Sequence, residues 1–578
     1  MSTSQRSHSF PPLPRRTVLR AAAASGLAIL GWETAFRIPA AAAAADDSPS
    51  GVDCYVQAYA NWSGEIQAED VVTYAPSTVD QAVSVVNWAA GQGLRVRPVG
   101  MRHGWSPLTI TNGGGSDCVL LDLTGLTAAT VSQDAYGYVV TAQTGIAMQD
   151  LLAFLESQGF GLAACPAPGD LTLGGVLAID GHGTAVPVSG QSSVPGQTFG
   201  SVSNLVTELT AIVWDADQQA YVTRDFYRSA PEAAALLVHL GRALIVSATL
   251  RIGANQRLRC VSRTDVTADT LFAPPAKAGA ESFAAFVEST GRVETIWFPY
   301  TEAPWLKVWS VEPTQPATSR ETDSPFNYVF SDIIPEVVSD LLKLVQDGAT
   351  LLTPLLCTTE AEIAAAGLVA TDSADLWGWS KNTLLYVRPT TLRVTANGYA
   401  ILTTRENIQQ VVSTVYAYVK STLAEYQETG RFPINGPWEV RVTGLDDPAD
   451  CQVPQAQEPI LSALRPRPDR PFDTAVWFDL LTFPGTPDAP EFYEEFEQFL
   501  LSEFDGTDAM VRPEWSKGWA YTGAGAWTNG NIMGTTVPAA VSAGQAAGND
   551  WQAALTTLNA LDPHAVYSNA FLAELMDQ

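Results

Sequence analysis

The chain has 578 residues, 46% of them hydrophobic and 16% charged; this excludes a disordered protein and exceeds one compact core, so two domains are expected. The formal charge of −29 excludes nucleic acid as a partner, because phosphate binding needs concentrated Lys and Arg. Six scattered Cys without a C-x-x-C, and only five His, argue against a zinc or dithiol site and leave a disulfide open.

The first predicted element is an export signal over residues 1–45. Arg15-Arg16 precedes Thr17-Val18-Leu19-Arg20, then the apolar run Ala21 to Trp32, then the small-residue tract Ala40 to Ala45. Charge, apolar run and small-residue site come in signal-peptide order, and the run is too short for a stable membrane span. The twin arginine points to the Tat route, hence to a secreted or periplasmic protein exported folded. Its removal takes away five Arg and one Glu, leaving the mature chain more acidic still.

Residues 46–58 read as a mature N-terminal tail. From 65 to 255, helical and strand patterns alternate. Asp80 to Ala89 has helical spacing, and Leu94 to Val99, Cys118 to Leu123 and Tyr138 to Ala142 read as strands. Met148 to Gln158 is helical again, and Thr207 to Trp214 and Ala243 to Ile252 complete the strands. This is an α+β domain over 46–255. From 256 to 505 the texture changes to long aromatic strands: Glu294 to Pro299, Trp305 to Trp309, Leu384 to Val387, Trp438 to Thr443 and Ala475 to Thr482. Two helices with 3.6 periodicity lie among them, one on Val337, Val338, Leu341, Leu342 and Val345, the other on Ile408, Val411, Val412, Val415 and Val419. A large antiparallel sheet covered by helices is expected, with 444–473 as a loop and 506–578 as a C-terminal segment.

Two glycine-bearing turns carry the chemistry. Pro98-Val99-Gly100-Met101-Arg102-His103-Gly104-Trp105-Ser106 follows a strand, and Pro168-Gly169-Asp170-Leu171-Thr172-Leu173-Gly174-Gly175 runs on to Gly181-His182-Gly183-Thr184. Glycines let backbone N–H groups approach a pyrophosphate, because no Cβ blocks the anion. His103 in such a turn is a candidate nucleophile, with Arg102 beside it expected to keep the imidazole neutral. His182 is expected to shape the loop near such an anion or to be purely structural. Cys165 reads as a small packed residue.

These turns, taken in order and with the tail Leu561-Asp562-Pro563-His564-Ala565-Val566-Tyr567-Ser568-Asn569, resemble the FAD-dependent oxidoreductase family typified by vanillyl-alcohol oxidase. The resemblance covers most of the chain after residue 60. It implies a two-domain fold, an FAD-binding α+β domain plus a substrate domain, with the last segment returning to the FAD domain. Arg102 to Ser106, Glu294 and the triplet Glu439-Val440-Arg441 are most similar to the covalently flavinylated cholesterol oxidases. That likeness implies FAD joined through its 8α-methyl group to His103. It also implies oxidation of 3β-hydroxysteroids by O2, giving H2O2, with movement of the double bond from Δ5 to Δ4.

Glu294, Glu439 and Arg441 are the candidate catalytic residues. On a strand Glu439 and Arg441 share a face, while Trp438, Val440 and Val442 take the other. Charges on a face that lines a cavity need partners, as active sites supply. Glu294 shares its strand face with Ile296 and Phe298, where a carboxylate's pKa rises and it can act as a base. Arg441 would stabilise developing negative charge, and the resemblance adds an oxygen path that it opens against Glu439 or another acid. The aromatics Trp297, Phe298, Tyr300, Trp305, Trp309, Tyr328, Phe330, Trp377 and Trp379 line an apolar pocket or fill the core. The helix at 335–345 is expected to pack on the core rather than a membrane, leaving only transient membrane contact for sterol uptake. Two other readings stay open: a carbohydrate or alditol oxidase of the same FAD family, which needs a polar pocket, and a redox-inactive flavin or lipid-binding protein that kept the fold.

Overall fold

The structure, a computed structural model, describes residues 38–39, 49–188, 196–328, 336–389, 391 and 393–576. All of the expected export signal except Ile38–Pro39 lies outside the described residues, as does Phe330.

Strand β1 (Asp53–Ala60) pairs antiparallel with β2 (Gln67–Ala75). The parallel strands β3 (Arg95–Val99) and β4 (Cys118–Asp122) extend this first sheet in the order β1-β2-β4-β3, with the short strand Ile38–Pro39 outside β1. The expected tail is therefore corrected: Tyr55, Gln57 and Tyr59 alternate inward and make residues 53–60 a strand. Helix α1 (Val79–Gly91) connects β2 to β3. Thr78 caps it by accepting from Gln81 N, and Ala82, Val85, Val86 and Ala89 bury one face. A second antiparallel sheet is formed by β5 (Ala129–Asp134), β6 (Gly137–Gln143), β7 (Val206–Asp215), β8 (Ala220–Tyr227) and β9 (Leu244–Arg251), in the order β8-β7-β9-β6-β5.

The third sheet has nine strands: β10 (Arg257–Arg263), β11 (Arg292–Trp297), β12 (Trp305–Val311), β13 (Arg320–Thr322), β14 (Asp375–Trp379), β15 (Thr395–Thr403), β16 (Trp438–Gly444), β17 (Thr474–Thr482) and β18 (Ala509–Pro513). Their order is β13-β14-β10-β12-β11-β16-β17-β15-β18, antiparallel except for the β13–β14 pair. Every residue of β11 and of β17 is buried, so both faces of the sheet's centre are covered. On one face Trp438 stacks on Phe478 and on Tyr416 of the long helix α2 (Ile408–Glu428), with Phe272 and Trp297 packed against it, and Val411, Val412, Val415 and Val419 of that helix are buried. The other face meets the first half of the chain, where His182 stacks on Trp477.

Leu384 to Val387 is not a strand. Ser380–Leu384 is a short helix, and the backbone then joins residue 168 by a single bridge at Val387. On helix Glu336–Gln346, Val338, Leu342 and Val345 are buried, but Val337 is 51% exposed: it lies outside the inward stripe. Trp297, Phe298, Trp305, Trp309 and Tyr328 are core residues. All six cysteines are free thiols.

Candidate active site

The two glycine turns meet. A Cβ on Gly100 would sit 2.5 Å from Thr172 Oγ1, so the contact between the turns requires glycine at that position. Thr172 also opens the short helix Leu173–Ala178, its hydroxyl accepting from Gly175 N. Between these turns and the third sheet lies a cavity of about 370 Å³. Gly100 to Ser106, Pro168, Thr172, Gly174, Gly175, Gly181 and His182 line one side. Glu439 and Arg441 line the other, together with Tyr386, Glu514, Ser516 and Lys517. Gly169, Asp170 and Gly183 lie just behind the wall: Gly183 is pressed against the Cys165 backbone, and Gly169 against Gln149 and Leu385. A cleft walled by backbone-exposing glycines on one side suits a phosphate-bearing ligand.

His103 stacks on Trp62 with ring centroids 4.0 Å apart. Its Nε2 lies 3.0 and 3.1 Å from the two carboxylate oxygens of Asp170. A carboxylate accepts, so Nε2 donates, and in the neutral ring the lone pair is then on Nδ1. The electrostatic partner expected for this imidazole is thus corrected. Arg102, held at φ 62°, turns its guanidinium to Gln57 Oε1 and the Ala58 carbonyl, away from the ring that it was expected to keep neutral. His182 donates from Nδ1 to the Gly183 carbonyl at 2.9 Å and stacks on Trp477 at 3.8 Å. Burial lowers it to about 4, against the pull of Glu514, so its ring is neutral at pH 7. Burial pushes the Cys165 thiol up to about 12, and Cys165 does not line the cavity.

The acid and base groups come from cross-strand register. Glu294 on β11 sits opposite Arg441 on β16, and Glu439 sits opposite Asp479 on β17. Directly opposed residues share a face, so all four point toward the flavin half. Arg441 hydrogen-bonds Asp479; its Nη1 lies 3.6 Å from Glu439 and 4.0 Å from Glu294. Lys517 Nζ lies 3.6 Å from Asp479 and 4.0 Å from Glu514. Burial raises the Glu439 carboxyl, opposed by Arg441 and reinforced by Glu294. Glu514 ends lowered because Lys517 and Arg441 outweigh its burial. Arg441 itself is raised, its carboxylate neighbours outweighing burial. Glu294, expected in the cavity wall, is 2% exposed and stands behind Tyr386, whose hydroxyl donates to it. Tyr386, Asp479, Glu514 and Lys517 were not foreseen. Asp479 alone carries a signal, a lone carboxylate inside the apolar run Ala475 to Thr482.

Backbone contacts lock the two walls. Thr184 Oγ1 reaches the carbonyls of Val293 at 2.7 Å and Val442 at 3.0 Å, and Gly444 N donates to the Ala185 carbonyl at 2.9 Å. The loop after His182 is thereby fixed onto β11 and β16.

A family model described as cholesterol oxidase, substrate-binding, matches residues 257–577, and one described as FAD binding domain matches residues 71–195. A solved solvent-stable cholesterol oxidase is 51% identical, with a TM-score of 0.90, over 92% of this chain and 99% of that one. The cholesterol oxidase of Brevibacterium sterolicum is 40% identical, with a TM-score of 0.89, over 92% of this chain and 98% of that one. Among curated proteins, L-gulonolactone oxidase of Mus musculus is 23% identical over 42% of this chain. The chain spans 28% to 49% of the length of the curated relatives it matches. The family model's reach over more than half of the chain, through the very strands that carry Glu294, Glu439 and Arg441, shows that the chain belongs to the cholesterol oxidase family.

Proposed function

We propose that this protein is a secreted FAD-dependent oxidase that converts cholesterol and related 3β-hydroxysteroids to 3-keto-Δ4 steroids, reducing O2 to H2O2, with FAD joined to His103. The observation that carries this reading is the cavity itself. It places the imidazole of His103 on one wall and Glu439 with Arg441 on the other. Bound FAD would supply the acceptor for the C3 hydride. The covalent link would join its 8α-methyl carbon to Nδ1 of His103, a methyl proton and the imidazole proton being released and the two electrons left on the flavin being taken by O2 as H2O2. The glycine turns would hold its phosphates.

Glu439 and Glu514 are the carboxylates that line the cavity; Glu514 is held low by Lys517 and Arg441, so we assign the hydroxyl proton of C3 to Glu439, the one that burial raises. Arg441 steadies the oxygen as negative charge develops there. Movement of the double bond needs a proton carried from C4 to C6, a task for a carboxylate on this same face. Beside Glu439 and Arg441 the substrate half contributes Tyr386, Val387, Val394 and Leu481 to the cavity wall, an apolar lining that favours a sterol over the polyol of the alternative reading. Transient contact with a bilayer has a candidate surface in the exposed side chains Val337, Leu344, Leu351, Leu355 and Val369, carried on and between helices Glu336–Gln346 and Thr353–Ala370.

The covalent assignment has a direct test. Protein denatured and precipitated with acid should give a yellow pellet, and His103→Ala should release the colour to the supernatant. A pellet that stays yellow in His103→Ala contradicts the linkage.

A further inference from the structure

Behind Glu294 lies an ammonium group that the proposed reaction does not use. Lys307 on β12 sits directly opposite Glu294 on β11, so the two side chains share a face. Lys307 has no exposed surface. Its Nζ lies 2.9 Å from the ring centroid of Tyr386, 4.7 Å from that of Tyr328, 5.0 Å from that of Trp309 and 5.1 Å from that of Trp305. Trp305 and Trp309 are its own i−2 and i+2 neighbours, which the strand must place on its face. Among the described residues no hydrogen bond reaches Nζ, and its carboxylate neighbour is Glu294, with Oε2 at 3.9 Å. The same oxygen accepts from the Tyr386 hydroxyl.

A box of four aromatic rings would be filled well by Met or Leu, with no ion to desolvate. Lysine there makes sense only if its charge is used. Across the sheet face the charges alternate: Lys307, then Glu294, then Arg441, then Glu439 and Asp479. Glu294 stands between two cations, and only Arg441 lines the cavity. Whichever cation holds Glu294 decides where the other is free to go.

We propose that Lys307 is a positioning residue: it holds Glu294 from behind, so that Arg441 is left to Glu439, Asp479 and the substrate oxygen. Without the ammonium, Glu294 draws Arg441 back from the cavity, and turnover falls while sterol binding changes little. The inference rests on the assignment of Glu439 and Arg441 to sterol oxidation.

Burial lowers Lys307 to about 8, against the pull of Glu294, then Cys260 and Glu439. A lowered lysine is charged below that value and neutral above it. Around it, Cys260 is pushed up to about 11 and Tyr328 and Tyr386 are raised well above 10.0 by burial, so the thiol and the phenols keep their protons through this range. Turnover should therefore decline as pH rises through about 8.

The experiment is the pH dependence of kcat and KM for cholesterol in the holoenzyme, in Lys307→Met and in Glu439→Gln. The wild type should show a basic limb near pH 8. Lys307→Met should lose that limb and turn over about 10-fold or more slowly at pH 7, with KM within about threefold and the flavin spectrum retained, as expected when one charge contact is removed from a transition state. A wild-type kcat that is flat from pH 7 to 9 overturns the inference, whether or not the variant folds. So does a Lys307→Met profile that still bends near pH 8. Unchanged turnover in Glu439→Gln would instead overturn the site assignment on which the inference rests.

Discussion

Glu439 and Asp170 show how a single position acquires a role from its neighbours. Glu439 lies against Arg441 and faces Asp479 across the strand pair. Its carboxyl is raised above the ordinary 4.5 by burial. A base must be ionised, so kcat should fall as pH drops through a value above 4.5, and the acid limb of the rate profile reads that value. Glu439→Gln should cut kcat by about 10²–10⁴ while leaving flavin content intact, the usual worth of a positioned base. Full turnover in that variant would move the base elsewhere. At this scale the sequence was informative where a charge interrupts an alternating strand, as at Glu294, Glu439 and Arg441. Lys517 and Glu514 gave no such signal, because they sit in a turn after β18 whose path only the tertiary structure defines. Asp170 was legible as part of a turn but not as the partner of His103, which lies 67 residues before it.

At the scale of elements, the loop from His182 to Val186 is the hinge between chemistry and scaffold. Thr184 bridges β11 and β16, and Val186 N donates to the Gly291 carbonyl at 2.7 Å. Thr184→Val keeps the side-chain volume and removes the hydroxyl. It should lower unfolding stability by about 1–3 kcal/mol, the cost of leaving a buried polar group unsatisfied, and a lower Tm with unaltered flavin content would show it. An unchanged Tm would mean that the loop is held by its backbone alone. Strands with period-two burial or unbroken apolar runs, such as β16 and β17, were readable from the residues. Leu384 to Val387 misled because four apolar or aromatic residues fit a strand and the end of a short helix equally well. Residues 53–60 were passed over because β1 lies next to the expected cleavage tract, where a tail was the simpler reading.

On the scale of the whole molecule, the last residues close the flavin half. Asp562 accepts from Tyr221 Oη at 2.5 Å, Arg242 Nη1 at 2.9 Å, and the backbone of Val566 and Tyr567 at 2.9 Å each. Val96 N on β3 donates to the Val566 carbonyl at 2.8 Å, and Tyr567 Oη reaches the Ile212 carbonyl on β7 at 2.9 Å. The tail therefore ties the first two sheets together. Breaking this buried pair by Asp562→Ala leaves Arg242 uncompensated and should cost about 3–5 kcal/mol, measured as a drop in the denaturation midpoint. A shift under about 1 kcal/mol would show that the tail is dispensable for closure. The mixed α+β fold and its large sheet were legible in the change from alternating helices and strands to long aromatic strands. The meeting of the two halves was not, because it depends on cross-sheet register and on loop contacts between residues more than 250 positions apart, such as Thr184 with Val442.

The central claim is that this cavity joins a flavin on His103 to a sterol-oxidising face built on Glu439 and Arg441. Anaerobic mixing of the purified holoenzyme with cholesterol, followed at the flavin absorbance, tests it most directly. Rapid bleaching on mixing is expected, with full recovery and H2O2 release when air is admitted. A flavin band that stays unchanged with cholesterol, in protein that bleaches under photoreduction and recovers in air, would contradict it.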